Sequence, residues 1–190
     1  MTYMLKRVFD CIFAIVVIFL SMPIFLWIII LIKLTSRGPI LYWSERIGKN
    51  NQSFKMPKFR TMQINTPALA THLLADPQRY LTSIGAFLRR FSLDELPQVW
   101  SILSGHMSVV GPRPALFNQD DLVKLRTLHG VDRIKPGLTG LAQINGRDEL
   151  PIFEKVQWDL EYVRRCSLWF DFKIIALTFL KVLKHDGVSH

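Results

Sequence analysis

Asp94 and Glu95 stand side by side in the run Arg89-Arg90-Phe91-Ser92-Leu93-Asp94-Glu95-Leu96-Pro97, within a chain that carries 24 lysines and arginines against 15 acidic residues. Adjacent carboxylates beside arginines suit phosphoryl transfer. One can attack phosphorus and form an acyl phosphate, while arginine and a hard cation such as Mg2+ offset the developing charge. A simpler role is a capping box, with Ser92 as N-cap and Glu95 three residues on. Pro97 argues against it, because in that register its ring falls past the first turn of an α-helix and meets the backbone. A helix beginning at Asp94 or Glu95 keeps Pro97 in the first turn and puts both carboxylates at the positive end of the helix dipole. Neighbours on a helix point about 100° apart, so the two acids are suited to separate tasks: Asp94 or Glu95 attacks or assists, and the other holds metal.

Cations that would meet a phosphate recur at separated places: Lys58 and Arg60 in "PKFRTM", Arg89 and Arg90, Arg113 in "GPRP", Lys135, and Arg147 after the glycine loop. Each alone reads most simply as a solvated surface charge; together, with turns that expose backbone N–H groups, they resemble a set of phosphate clamps more than a stripe along nucleic acid. A P-loop and GxGxxG are absent, and His72, His106, His129, His185 and His190 lack metal-ligand spacing.

These groups belong to a 190-residue chain of net charge +9, 49% hydrophobic, with positive mean hydropathy. That much apolar content points to lipid, and the charge to an anionic partner. Cys11 and Cys166, far apart, give no disulfide framework. From Cys11 to Ile32 the chain is uncharged, about 22 residues or roughly 33 Å as a helix, enough to cross a bilayer core. Pro23 interrupts it, predicting a sharp kink at which Ser21 takes up a freed carbonyl. Lys6 and Arg7 before the run, and Lys33, Arg37, Arg46 and Lys49 after it, all favour the cytoplasmic side. A helix that bends at Pro23 and re-emerges satisfies both flanks; a single straight span remains the alternative.

The expected fold is mainly α with a short β-hairpin: an anchor over residues 1–36 and a catalytic domain over 37–190. The hairpin lies on either side of Gly48-Lys49-Asn50-Asn51. Helices or helical stretches are expected at residues 67–80, Ile84–Arg90, Ala115–Leu128, Ile152–Arg165 and Leu168–Leu183. The fourth presents Phe153, Val156, Leu160 and Val163 on one face. The last, with Lys173, Lys181 and Lys184 beside a broad apolar face, reads either as an interfacial amphipathic helix or as a packed core helix.

The runs "KRVFD", "GPILYWSERIGKN", "KFRTM", "LRRFSLDELPQVWSILSGHMSVVGPRP" and "KPGLTGLAQINGR", with the mid-anchor proline, resemble in order the bacterial sugar transferases, monotopic phosphoglycosyl transferases that initiate polysaccharide and glycoprotein assembly. The resemblance covers nearly the whole chain. It implies a Mg2+-dependent enzyme that moves a sugar 1-phosphate from a UDP-sugar to undecaprenyl phosphate and releases UMP. The setting would be the cytoplasmic face of the bacterial inner membrane, on a re-entrant helix broken at proline. By the same resemblance Asp94 is the nucleophile that becomes a phosphosugar ester, and Glu95 binds or positions the metal beside it. Arg113 holds phosphate with Lys58, Arg89 and Arg147, and Gln143 lies near the nucleotide; Arg60 is a substrate-binding candidate from its place in "PKFRTM" alone. Met22 precedes the proline where many members have serine, and Ser101 and His106 replace a common Asn and acidic residue. Membrane lipid is an implied partner and nucleic acid is not; the sugar and the choice between monomer and homodimer stay open. The rival from another class is a membrane-anchored basic adaptor that binds acidic lipid or nucleic acid without chemistry, which leaves the acidic pair unexplained.

Overall fold

The computed structural model describes residues 3–67, 76, 78–146 and 150–184. Most of the stretch expected to be helix and loop at residues 67–80 lies outside them, as does Arg147.

The N-terminal apolar run forms one helix, α1, over Tyr3–Thr35. Helix is what lipid demands of such a sequence, since it satisfies backbone groups internally. Its Met4–Thr35 segment is long and apolar enough to cross a membrane, and Phe19, Leu20, Trp27 and Leu34 are each at least two-thirds exposed. So large an exposed apolar surface suits a helix that associates with a membrane. The break expected at Pro23 does not interrupt the helical assignment. Pro23 withholds an N–H from the Phe19 carbonyl, yet Ser21 Oγ donates to Val17 O at 2.5 Å rather than to that freed group.

The hairpin forms as its alternation predicts, with β1 (Leu41–Ile47) antiparallel to β2 (Ser53–Phe59). Asn50 and Asn51 take left-handed backbone at the turn, which asparagine tolerates. Then come α2 (Gly85–Arg90), a 3-10 helix over Leu93–Gln98, and α3 (Val99–Leu103). The strand β3 (Ser108–Val110) pairs in parallel with β5 (Gly137–Thr139), and β4 (Ala115–Leu116) adds to the outer side of β1. The helix expected over Ala115–Leu128 is therefore shorter: Ala115 and Leu116 bond to Arg46 and Ile47, and α4 covers only Asp120–Leu128. Asp120 and Asp121 occupy its first turn, where carboxylates complement the dipole.

A short α5 (Leu141–Ile144) leads to α6 (Ile152–Arg165) and α7 (Leu168–Lys184). The inward stripe of α6 is Val156, Asp159 and Tyr162, all at most 1% exposed, whereas Phe153 is 62% exposed. The expected face is thus rotated, because the buried positions include two polar residues that hydropathy alone would turn outward. On α7, Phe170, Asp171 and Ile174 pack inward, while Trp169, Phe172, Phe179 and Leu180 are exposed. The helix serves the core on one stripe and presents an apolar stripe on the other.

The main core gathers Ile102, Met107, Val109 and Val110 with Phe54, Tyr162 and Ile174, and Ala14 of α1 belongs to it. A second cluster packs Ile28 and Ile32 of α1 against Phe59 and Leu88. Both halves of the anchor helix therefore share cores with the rest of the chain.

Candidate active site

The 3-10 helix sits between α2 and α3 and packs on β2. Ser92 precedes it with left-handed backbone (φ 54°) and makes no side-chain cap, so the capping box does not form. Helical structure nonetheless starts at Leu93, one residue before Asp94, with Pro97 in its fifth position. Winding as 3-10 rather than α resolves the conflict, and α-helix resumes at Val99, just beyond the ring. At three residues per turn, Asp94 and Glu95 diverge by about 120°.

That divergence sends the two carboxylates into different surroundings. Glu95 Oε1 accepts from Lys58 Nζ at 2.7 Å and from Arg113 Nη2 at 2.8 Å. Burial favours its protonated form, but Arg113 and Lys58 outweigh burial and hold its pKa well below the usual carboxylate value. Asp94 is 8% exposed. Burial pushes its carboxyl up to about 6 and the Glu95 charge adds to this, against the pull of Lys58, Arg89 and Arg113. Burial lowers the pKa of Arg89, while Asp94 and Glu95 hold it up. Arg89 Nε donates to Thr61 Oγ1 at 3.0 Å. Thr61 is a site neighbour that the sequence does not announce; its only signal is its place beside Arg60 in "KFRTM".

Three expected ligands, Lys58, Arg89 and Arg113, thus surround the acidic pair. Arg60 goes elsewhere: its guanidinium, 5% exposed, donates to the carbonyls of Ser36 and Arg37 and to Ser36 Oγ at the end of α1. Gln143 Nε2 donates to Leu138 O, and its Oε1 is buried without a partner. A methyl at Gly105 would lie 3.7 Å from both Lys135 Nζ and Arg7 Nη2, which places Lys135 at the junction of α1 and α3. Ser101 is buried in α3, and the His106 ring stacks on Phe54. Ser104 Oγ lies 2.9 Å from His106 Nδ1. Among the described residues no cluster of three or more His, Cys, Asp or Glu side chains forms.

A buried carboxyl tuned near neutrality beside one held ionised, with three cations around them, suits attack on a phosphorus. The family model described as bacterial sugar transferase matches residues 1–185. The chain belongs to the bacterial sugar transferase family. This sugar transferase sequence is 40% identical over 188 residues to a UDP-glucose:undecaprenyl-phosphate glucose-1-phosphate transferase of Escherichia coli (strain K12), covering 94% of this chain and 40% of that protein. It is 41% identical over 200 residues to the exopolysaccharide production protein ExoY of Rhizobium meliloti (strain 1021), covering 97% and 88%. With the undecaprenyl-phosphate galactose phosphotransferase of Salmonella typhimurium (strain LT2) it shares 36% over 206 residues, covering 96% and 41%. The chain spans about two-fifths of the Escherichia coli and Salmonella proteins and most of ExoY.

Proposed function

We propose that this chain is a phosphoglycosyl transferase that moves a sugar 1-phosphate from a UDP-sugar to undecaprenyl or a related polyprenyl phosphate. The observation that carries the reading is the opposite tuning of Asp94 and Glu95 among Lys58, Arg89 and Arg113. Family membership and the printed activities of the relatives support the substrate class.

In this mechanism Asp94 attacks the β-phosphorus as its carboxylate. The aspartyl oxygen to phosphorus bond forms as the bond to the bridging oxygen breaks, and UMP leaves with the electron pair. An oxygen of the polyprenyl phosphate then attacks the same phosphorus, releases the Asp94 carboxylate and gives a polyprenyl diphosphate sugar. Lys58, Arg89 and Arg113 offset charge on the phosphoryl oxygens, with Arg147 as a further phosphate ligand and Gln143 serving the nucleotide. Mg2+ fits the donor set, since it takes one or two carboxylates plus substrate phosphates, and Asp94 and Glu95 supply hard oxygens. When bound it would neutralise diphosphate charge.

The anchor reading is a re-entrant helix whose catalytic domain sits on the cytoplasmic face. Both ends of α1 bond to one domain: Lys6 to Asp171, Arg7 to the Ile102 and Leu103 carbonyls, and at the far end Ser36 and Arg37 to Arg60. A straight span would carry one end across the bilayer from that domain. A basic adaptor gains nothing from the family match, and it gives no reason to bury a carboxyl among cations.

Intact-protein mass spectrometry after incubation with Mg2+ and a panel of UDP-sugars tests the reaction. A sugar-phosphate adduct that vanishes in Asp94→Asn and is discharged by polyprenyl phosphate is expected. Absence of both adduct and UMP with every sugar would overturn it.

A further inference from the structure

The loop Gly111-Pro112-Arg113-Pro114 carries the guanidinium that reaches Glu95, and the surrounding chain holds its carbonyls one by one. Gly137 N–H donates to Pro112 O at 2.9 Å, Arg126 Nη1 to Arg113 O at 2.8 Å, and Arg46 Nη1 to Pro114 O at 3.2 Å. Just before the loop, the Tyr162 hydroxyl lies 3.0 Å from Val110 O. Of these contacts, the one from Arg126 falls on Arg113 itself.

Arg126 on α4 is 8% exposed, and its partner Asp159 on α6 is 1% exposed. Arg126 Nε and Nη2 both donate to Asp159 Oδ2, at 2.9 and 2.7 Å. Burying such a pair is a poor source of stability, since desolvation of both charges offsets their attraction and an apolar pair of similar volume often serves as well. Its geometric content is larger. A guanidinium is a rigid planar fork, so fixing Nε and Nη2 on one carboxylate oxygen fixes the direction of Nη1. That third N–H then dictates where the Arg113 carbonyl sits, and with it the origin of the side chain that meets Glu95 Oε1 at 2.8 Å.

We propose that Arg126, oriented by Asp159, is a positioning residue that fixes the Arg113 loop for phosphate binding. The inference rests on the phosphoglycosyl transferase reading for its kinetic consequence, and on the loop alone for its structural one. A displacement of about 1 Å at Arg113 suffices for a 10- to 100-fold loss of rate.

The test compares wild type, Arg126→Lys, Arg126→Met and the double variant Arg126→Met/Asp159→Leu by melting temperature, by kcat and KM for the UDP-sugar, and by amide hydrogen exchange over residues 111–116. Arg126→Lys keeps the charge but not the fork, and is expected to fold and to lose 10- to 100-fold in kcat/KM. The double variant removes the stranded buried carboxylate, so its melting temperature returns toward wild type while kcat/KM stays low and exchange in the loop stays at least tenfold faster. Recovery of wild-type kcat/KM and loop protection in the double variant would reduce Arg126 to a packing element and overturn the proposal. So would unchanged loop exchange in all three variants. A wild type inert to every UDP-sugar would sink the transferase reading instead, and the exchange measurement would still decide the positioning.

Discussion

Asp94 and Glu95, neighbours in sequence, are displaced in opposite directions from the same ordinary pKa range: burial raises Asp94 to about 6, and Arg113 and Lys58 overcome burial to hold Glu95 well below its usual value. One residue is poised to change charge near physiological pH. The other stays ionised throughout.

Asp94→Asn should abolish the phosphosugar adduct and stabilise the protein. The folded pKa of about 6 lies above the ordinary 3.8, so the ionised carboxylate destabilises the fold above pH 6. That cost fades as the pH falls from 6 to 3.8. A shift of about two units corresponds to at most roughly 3 kcal/mol. Melting curves should place the Asp94→Asn variant above wild type at pH 7.5 and converging with it by pH 4; a lower melting temperature at pH 7.5 would contradict the burial argument.

Adduct formation should fall on the acid side with a midpoint near pH 6, because only the Asp94 carboxylate attacks. Glu95→Gln removes a charge that raises the Asp94 pKa and releases Lys58 and Arg113 from their partner. In single-turnover measurements on that variant, residual adduct formation should have its acid midpoint below 6. A midpoint fixed at 6 would mean that the Glu95 charge has no net effect on the Asp94 titration.

Arg60→Met should lower stability by about 2 kcal/mol, since it strips donors from the Ser36 and Arg37 carbonyls at the end of α1. The KM for the UDP-sugar should change less than about twofold. A tenfold rise in KM with unchanged melting would return Arg60 to the substrate site.

In a background with Cys11→Ala and Cys166→Ser, single cysteines replacing Tyr3 or Thr35 should react with an impermeant maleimide from the same side of inverted membrane vesicles. Labelling of the two positions from opposite sides would establish a span.

The hairpin was legible because Asn50 and Asn51 supply the turn and the flanking runs alternate. The bounds of α6 were legible from the helical spacing of its apolar residues. That Lys58 and Arg113 gather on Glu95 was legible only in part, because all three stand in runs that read as one set of charged groups. What escaped depended on contacts distant in sequence. Ala115 and Leu116 are drawn into a sheet by β1, 68 or more residues earlier, and nothing local distinguishes them from a helix start. Arg60 follows Lys58 in a run that reads as two phosphate ligands, yet it lies one residue beyond the strand and turns to the anchor. Thr61 and Arg126 act through bonds spanning 28 and 13 residues, which composition cannot foretell.

Asp10, on α1, is 2% exposed, and its Oδ1 accepts from Ser108 Oγ and from Val109 N–H, both at 3.0 Å. The acceptor leaves the ribosome 98 residues ahead of its donor, and Lys6 waits 165 residues for Asp171. Asp10 is therefore made long before the strand that supplies its donors, and its buried carboxylate gains them only once Ser108 and Val109 have followed.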